Sequence, residues 1–334
     1  GGMSGLEPHR ISLNTATVRE QWSLAECIEG CARHGLGGIS PWRDKLHEMG
    51  VEAAARAIRD AGLRVSGLCR GGWFTASGAL DRSVIDDNRR AVDEAAALSA
   101  DCLVMVVGGL AADSRDLPGA QALVEEGLAR TLEYARTVGV KIAIEPLHPM
   151  YAADRACVNT VRQALDICDR LGDGIGCAVD VYHVWWDYEL EAQLARAGRD
   201  RILAFHICDW LVPTRDLLTD RGMMGDGVID IPRLRGVAEA NGFDGLHEAT
   251  FAPGHTQERN AQDHVADPQG KDTQPRTDPG GDPSGGPRGV QRSRAFRRPH
   301  RPHRRARRRQ QADDLRLFRR QERHLCRCAA GGLR

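Results

Sequence analysis

Short apolar runs alternate with longer amphipathic stretches from residue 10 to about residue 251. The apolar runs are rich in β-branched residues and are typical of buried strands, whereas the stretches between them follow a helical period. This alternation predicts βα units and a parallel sheet. The eight predicted strands are Ile11–Asn14, Gly38–Ser40, Arg64–Leu68, Cys102–Val107, Lys141–Glu145, Gly176–Asp180, Ile202–His206 and Gly245–Phe251.

The amphipathic stretches predict a helix between most pairs of strands. Ser23 precedes the first of them and Glu26 follows three residues later, which predicts a capping box. Eight strands within about 250 residues match an α/β fold of the (β/α)8 TIM barrel type. A doubly wound open sheet is the alternative, but no GxGxxG motif follows a strand. The predicted helices are Ser23–His34, Val51–Asp60, Val84–Leu98, Ala120–Val138, Thr160–Leu171, the shorter Tyr188–Ala197, and Ile231–Asn241.

The composition changes abruptly after Phe251. Residues 252–334 are rich in Arg, Pro and Gly and carry almost no regularly spaced apolar residues. Such a segment cannot bury enough apolar surface to offset its ordering entropy, so we expect it to be disordered. The expected organisation is a disordered N-terminus over 1–9, a barrel over 10–251, and a low-complexity tail that leaves the last barrel helix missing or replaced.

The charge divides the chain at the same place. Residues 255–334 hold 19 Arg and one Lys against nine Asp and Glu, a charge of +11. Since the whole chain has a formal net charge of zero, residues 1–254 carry −11. The basic tail invites interpretation as a nucleic-acid arm. It lacks interleaved aromatic residues and a recognition motif, so nucleic acid is not an expected partner.

Composition also bears on the cellular environment. No run of about 18 or more apolar residues occurs, and the start "GGMSGLEPHR" lacks the layout of a signal peptide. We therefore expect a soluble, cytoplasmic protein that does not contact a membrane. Eight of the ten cysteines are scattered singly through apolar or helical patterns, which predicts reduced, packed thiols.

Four neighbouring predicted strands carry an acid or an imidazole at their C-terminal ends: Glu145, Asp180, His206 and Glu248. In a (β/α)8 barrel these ends face one shared site. A carboxylate after an apolar run is costly unless a cation or donor satisfies it. Three carboxylates and one imidazole from strands about 4.8 Å apart would suit Mn²⁺, Mg²⁺, Co²⁺ or Zn²⁺.

Four sequence blocks occur in a characteristic order and spacing: "AIEPLHPMYAADRACVN", "VDVYHVWWD", "FHICDW" and "RGMMGDGVIDIPRLRG". Together they resemble the sugar phosphate isomerase/epimerase family of xylose-isomerase-like TIM barrels. That family includes inosose isomerases and dehydratases and ketose 3-epimerases. The resemblance runs from about residue 10 to residue 248 and leaves the tail unmatched.

The resemblance implies roles for individual residues. Glu145 would be a metal ligand and an acid/base carboxylate, and Asp180 and His206 would be metal ligands. His183 and Arg221 would contact oxygens of the substrate. Family barrels often associate, so a homo-oligomer is also an expectation.

The eighth strand departs from the family pattern. Residues 242–245 fit the sequence Gly-aromatic-x-Gly, and Glu248 matches the first Glu of a following Glu-x-Glu. Thr250 stands where the second Glu, a metal ligand, is usual. Glu248 points the same way as residue 250 and is the candidate replacement as ligand and second catalytic carboxylate, although about 6.6 Å deeper. We therefore expect weak metal binding and low activity.

The chemistry expected of such a site is proton transfer next to a carbonyl, through an enediolate, on a keto-sugar, inosose or sugar phosphate. Two carboxylates on opposite faces would epimerise, and one would isomerise an aldose and a ketose. A dehydratase of an inosose or hydroxy-keto acid is an alternative. An endonuclease IV-like phosphodiesterase is disfavoured by the charge of −11. A non-catalytic sugar-binding barrel is the remaining alternative.

Aromatic and basic side chains follow several predicted strands and are candidates for substrate contact. Trp185 and Trp186 either pack over the barrel mouth or stack on a sugar face. Trp42 and Arg70, together with Trp73, follow the second and third strands and either contact the substrate or pack their loops. His148 lies three residues after Glu145 and is a further candidate.

The expectation that the eighth helix is missing or replaced can be tested in the encoding DNA. We hypothesise that the reading frame departs from the ancestral frame near residue 249, because family likeness and charge both change there. Translation of the encoding DNA in the other two frames should then reveal an amphipathic helix pattern beyond this point. The absence of that pattern from both frames would refute the hypothesis.

Overall fold

The computed structural model of the chain describes residues 6–251. The expected tail over 252–334, its disorder, the fate of the last barrel helix and the hypothesis of a frame change beyond residue 249 all lie outside the described residues, as do residues 1–5. Within the segment expected to be disordered over 1–9, Leu6 is buried and Pro8–Arg10 forms a 3-10 turn.

A parallel sheet forms the centre of the fold. The strands are β1 Ile11–Asn14, β2 Gly38–Ser40, β3 Arg64–Val65, β4 Leu68–Gly72, β5 Leu103–Val106, β6 Ile142–Ile144, β7 Ile175–Asp180, β8 Ile202–Ile207, β9 Asp209–Trp210, β10 Arg221–Gly222 and β11 His247–Ala249. The sheet order is β3-β2-β1-β11-β8-β7-β6-β5-β4, and every pair in it is parallel. A short antiparallel pair, β9 with β10, stands apart.

The sheet is nearly closed into a barrel, which confirms the predicted TIM barrel class. Strands β3 and β4 are two parts of the single third strand that the sequence predicts, and Ser66 and Gly67 separate them. The first part pairs with β2 and the second with β5, so the two parts together form one of the eight strands of the barrel. A bridge between Trp42 and Cys69 adds to this seam.

Helices lie along the outside of the sheet. They are α1 Leu24–Arg33, α2 Arg43–Met49, α3 Val51–Asp60, α4 Arg82–Ala97, α5 Leu117–Val138, α6 Val161–Leu171, α7 Val181–Val184, α8 Leu190–Arg201 and α9 Ile231–Ala240. The predicted capping box at α1 is confirmed, because Ser23 and Glu26 exchange both hydrogen bonds. Helices α2 and α7 were not predicted, since each is only one or two turns long. No helix in the described range is long and apolar enough to cross a membrane.

The barrel interior and the layer between strands and helices differ in character. The interior cluster consists of small apolar side chains, whereas the outer layer is a large continuous core of Leu, Ile, Val and Phe. Polar side chains such as Ser12 and Ser66 are also fully buried and bond to each other at 2.7 Å. All eight cysteines between residues 6 and 251 are buried and unpaired, which confirms the prediction of packed thiols.

His247 on β11 is a titratable group inside the core. Its ring packs edge-on against Phe205 at 5.6 Å and Phe243 at 5.5 Å, and its Nε2 lies 2.9 Å from Glu239 Oε1. Burial lowers its pKa to about 4, although Glu239 opposes the shift. Because the unfolded chain binds this proton near pH 6.5, the folded state loses stability as the pH falls below that value.

Replacing His247 with Gln should therefore flatten the dependence of stability on pH between 7 and 5. The wild type should lose about 2 kcal/mol more over this range than the variant, at ~1.4 kcal/mol per unit of pKa shift. Urea unfolding at pH 7, 6 and 5 in the presence of EDTA measures this difference. His9→Gln, at an exposed histidine, is the control and should keep the wild-type slope. Parallel curves for wild type and His247→Gln would contradict the assignment.

Candidate metal centre at the mouth of the barrel

Strand register brings the predicted ligands to one level of the barrel. Asp180 ends β7 and is the register partner of His206 on β8, which in turn is the partner of Glu248 on β11. Glu145 directly follows β6, and its backbone N–H donates to the carbonyl of Met105 at 3.1 Å. The four side chains therefore come from four adjacent strands at the C-terminal end.

Three of these residues form a compact ligand group. One ligand atom each from Glu145, Asp180 and His206 lies within 4.8 Å of the other two, and all three side chains are buried. The Nδ1 atom of His206 is 3.7 Å from Glu145 Oε1, so this nitrogen faces the carboxylates. Two carboxylates and one imidazole with further positions open are a donor set that fits a divalent cation.

Glu248, the fourth predicted ligand, does not join this group. Its Oε1 accepts a hydrogen bond from Asn14 Nδ2 at 2.7 Å, and its Oε2 accepts one from Ser66 Oγ at 3.1 Å. The Oε2 atom also lies 3.3 Å from Nε2 of His206, an ion-pair contact on the far side of the imidazole from Glu145. Hydrogen bonds from Asn14 and Ser66 explain this, because they direct the carboxylate away from Glu145 and Asp180.

Asn14 and Ser66 were missed in the sequence. Both stand at or next to predicted strands, and both are buried polar residues in a barrel interior that otherwise holds small apolar side chains. The only sequence signal was the placement of polar residues on the inward face. Thr250, two residues after Glu248, continues the ladder through a backbone hydrogen bond to Ile207 at 3.2 Å.

Burial and charge set the protonation of the ligand group. Burial raises the pKa of Glu145, and His206 only partly opposes it. Burial would also raise the pKa of Asp180, but positive neighbours, Arg221 foremost, lower it to about 2. Burial would lower the pKa of His206, but Glu248 and Glu145 raise it well above its usual value. Without a cation, a proton on the imidazole balances the carboxylates.

A hairpin after β8 carries Arg221 into the site. Asp209 at its start accepts hydrogen bonds from the backbone of Gly225 at 2.9 Å and of Ile229 at 3.0 Å, which folds the loop back on itself. Arg221 Nη1 then donates to Asp180 Oδ2 at 2.9 Å, and the guanidinium lies 4.4 Å above the ring of Tyr182. The arginine is thus held beside the ligand group.

His183 presents a hydrogen-bond donor to the same place. Its Nδ1 accepts the backbone N–H of His148 at 2.9 Å, and burial lowers its pKa to about 3, so the ring is neutral. A neutral imidazole carries one N–H, which must then be at Nε2. That atom is 3.0 Å from Arg221 Nη2, which is also a donor, and 3.9 Å from Asp180 Oδ2. Two donors therefore converge beside the carboxylate of Asp180.

Aromatic rings form one wall of the mouth. Trp210 stacks on His148 at 5.1 Å and lies 5.8 Å from Trp185. Trp186 is partly exposed and donates from Nε1 to the carbonyl of His183 at 2.7 Å. His148 thus contacts His183 through its backbone N–H and Trp210 through its ring. Trp210 was not singled out in the sequence, although the block "FHICDW" contains it.

The opposite wall contains the remaining predicted residues. The guanidinium of Arg70 lies 4.4 Å from the ring of Trp73 and 5.9 Å from that of Trp42. Trp42 donates from Nε1 to Asn14 Oδ1 at 2.8 Å, and Asn14 in turn bonds Glu248. The side-chain amide of Asn14 therefore links this wall to Glu248, which lies against His206 of the ligand group.

Comparisons with known proteins agree with the fold. The family described as xylose isomerase-like TIM barrel matches residues 28–266, a range that runs past the described residues. Protein SMc04130 from Sinorhizobium meliloti 1021 is 56% identical over 76% of this chain and 92% of its own, with a TM-score of 0.71.

More distant structures share the fold. The IOLI protein with a binding zinc atom is 22% identical over 76% of this chain and 94% of its own, with a TM-score of 0.61. D-psicose 3-epimerase, crystallised in the presence of D-fructose, is 15% identical over 72% and 84%, with a TM-score of 0.57. No curated protein matches the chain.

The contrast between Glu145 and Glu248 generates a test. Without metal, Glu145→Gln should raise the free energy of unfolding, because it removes a buried carboxylate whose pKa burial raises. Glu248→Gln should lower it by about 1–3 kcal/mol, because it removes the charge that pairs with His206. Urea unfolding at pH 7 with EDTA measures both.

Addition of Mn²⁺ supplies the second measurement. The stabilisation that Mn²⁺ produces should be lost in Glu145→Gln but only reduced in Glu248→Gln, since Glu145 belongs to the ligand group whereas Glu248 contacts only the imidazole of His206. A destabilised Glu145→Gln that still responds to Mn²⁺ like the wild type would overturn the ligand assignment.

Proposed function

Because the chain belongs to the xylose isomerase-like TIM barrel family, we propose that it is a divalent-metal-dependent sugar isomerase or epimerase. Its substrate would be a keto-sugar, an inosose or a sugar phosphate. The observation that carries this proposal is the meeting of Glu145, Asp180 and His206 at the mouth of the barrel. A zinc-containing neighbour and a ketose epimerase with the same fold support it.

Glu145, Asp180 and His206 would hold the cation, which when bound polarises a substrate carbonyl and stabilises negative charge on its oxygens. Glu248 serves this group indirectly. Its contact with Nε2 of His206 favours a proton on that nitrogen and leaves the lone pair of Nδ1 directed toward Glu145. We assign Glu248 as a positioning residue for the imidazole.

Glu145 is the best placed of the carboxylates to move a proton. Its ion-pair contact, Nδ1 of His206, is 3.7 Å away, so the carboxylate can accept a proton from the carbon next to a carbonyl and return it. Asp180 is tied to Arg221, and Glu248 is held by Asn14 and Ser66. Because Glu145 alone of these three carboxylates is not held by such partners, aldose–ketose isomerisation is favoured over two-base epimerisation.

Substrate hydroxyls would bind between His183 and Arg221. The N–H of His183 Nε2 and the Nη2 group of Arg221 are both donors 3.0 Å apart, and an oxygen placed beside them would accept from both. Trp185 and Trp210 on the adjoining wall would cover a sugar face and exclude water during proton transfer.

Exchange of protons with solvent tests the proposed chemistry directly. The Mn²⁺-loaded protein, incubated in D₂O with ketoses, ketose phosphates and inososes, should incorporate deuterium at the carbon next to the carbonyl of one of them, as seen by NMR. Glu145→Gln should lose this exchange, and Tyr188→Phe, at an exposed ring, should keep it. Metal binding without exchange into any substrate would favour a non-catalytic sugar-binding barrel. Exchange followed by loss of water would identify a dehydratase.

The residue at position 250 should control metal affinity. Thr250→Glu would add a carboxylate one pleat nearer the mouth than Glu248 and on the same face. We expect at least about a tenfold gain in Mn²⁺ affinity, or ~1.4 kcal/mol. Isothermal titration measures it, and Thr250→Gln, which adds the same bulk without charge, should show no gain. Sub-micromolar binding by the wild type would contradict the expectation of a weak site.

A further inference from the structure

Arg70 is held firmly at the mouth without a negatively charged partner. Its guanidinium is only partly exposed and lies between the rings of Trp73 and Trp42. Among residues 6–251 it forms no ion pair, and its side chain donates no hydrogen bond. A guanidinium has five N–H donors in a planar fork, and those of Arg70 are therefore available to a ligand that replaces water.

The backbone beside Arg70 supports a functional role for this stacking. Trp73 has a φ of 54°, a left-handed conformation that bulky residues rarely adopt. Its N–H nevertheless bonds the carbonyl of Val106 at 2.8 Å, which holds the turn in place. This conformation holds the ring of Trp73 against the guanidinium and keeps its orientation fixed.

Arg155 supplies a second cation of the same kind. It lies in the segment after β6, with its guanidinium 5.4 Å from the ring of Tyr151, which contacts His183 edge-on at 5.9 Å. Its side chain also has no ion pair or hydrogen bond in the described part of the chain. Its segment lies beside that of Trp73, because the carbonyl of Gly108 accepts the N–H of Cys157 at 2.9 Å while the adjoining carbonyl of Val107 accepts the N–H of Phe74 at 3.0 Å.

Other arginines at the mouth are neutralised. Arg19, which also lies over Trp42 at 5.0 Å, pairs with Asp44, and Arg221 pairs with Asp180 at 2.9 Å. The remaining carboxylates, Glu145 and Glu248, face His206 and the ligand group. Asp154 and Asp216, which act electrostatically on Tyr151, are exposed. Within residues 6–251, Arg70 and Arg155 thus differ from Arg19 and Arg221 in forming no ion pair.

We propose that Arg70 and Arg155 form an anion subsite, so that the substrate carries a phosphate or carboxylate group at the end remote from the reacting carbonyl. This inference rests on the proposed function and narrows its substrate class to anionic sugars. Two guanidinium groups provide bidentate donors for either anion. The ring of Tyr151 beside Arg155 contacts His183 at 5.9 Å, and Trp42 beside Arg70 bonds Asn14 at 2.8 Å, so the subsite and the ligand group open on the same mouth.

Binding of simple anions to the metal-free protein tests the subsite apart from catalysis. Isothermal titration in EDTA at low salt uses inorganic phosphate in one arm and D-gluconate in the other. Arg70→Gln and Arg155→Gln should each weaken binding of the preferred anion about tenfold, or ~1.4 kcal/mol. Arg70→Lys should recover only part of the affinity, because it keeps the charge but not the fork.

The matched control is Arg89→Gln. Arg89 lies over the ring of Tyr134 at 5.3 Å on α4, exposed on the outside of the barrel. This change should leave anion binding as in the wild type. Equal weakening by Arg89→Gln, or no effect of Arg70→Gln and Arg155→Gln, would overturn the proposal. The arm with the tighter wild-type binding identifies the anion as phosphate or carboxylate.

Steady-state kinetics separates failure of the subsite from failure of the proposed function. With a ketose phosphate or keto-sugar acid that the protein turns over, Arg70→Gln should raise KM about tenfold with little change in kcat. The neutral sugar of the same skeleton should show no such rise. Anion binding without any turnover would retain the subsite and reject the isomerase, whereas turnover of neutral sugars alone, unaffected by Arg70→Gln, would reject the subsite.

Discussion

Burial of three carboxylates at the ends of adjacent strands is the constraint on which the mouth of this barrel depends. Each must meet positive charge, because an unpaired buried carboxylate is very costly. Asp180 meets Arg221 at 2.9 Å and Glu248 meets His206 at 3.3 Å, whereas Glu145 has only the more distant Nδ1 of His206 at 3.7 Å. Glu145 is thus the carboxylate whose negative charge is least compensated, and a bound cation or a transferred proton would compensate it.

The sequence predicted those parts of the fold that depend on periodicity. The bounds of β1, β2 and α3 agree with the prediction to the residue, because apolar runs and an amphipathic stretch that ends before Gly62 are local signals. The meeting of Glu145, Asp180 and His206 was also predictable, because parallel strands present their C-terminal ends at one edge. Neither step required knowledge of a side-chain conformation.

The sequence could not predict the features that depend on where side chains point in the tertiary structure. Nothing in "GLHEATF" tells on which side of the imidazole Glu248 lies, because Asn14 and Ser66, more than 180 residues away, decide it. The hairpin that brings Arg221 to Asp180 is likewise fixed by Asp209 and backbone groups 16 and 20 residues later. Arg155 lies in an irregular segment where no period indicates the direction of a side chain.

The negative net charge of the barrel is compatible with an anionic substrate, because screening limits the distance over which that charge acts. Residues 6–251 contain every charged group of residues 1–254 and so carry −11. Solvent ions screen this charge beyond about 8 Å at physiological ionic strength. A single phosphate or carboxylate entering the mouth interacts mainly with Arg70 and Arg155, whereas a nucleic acid would lie along the acidic surface over many such lengths. The same charge distribution therefore disfavours a polyanion and admits a small anion.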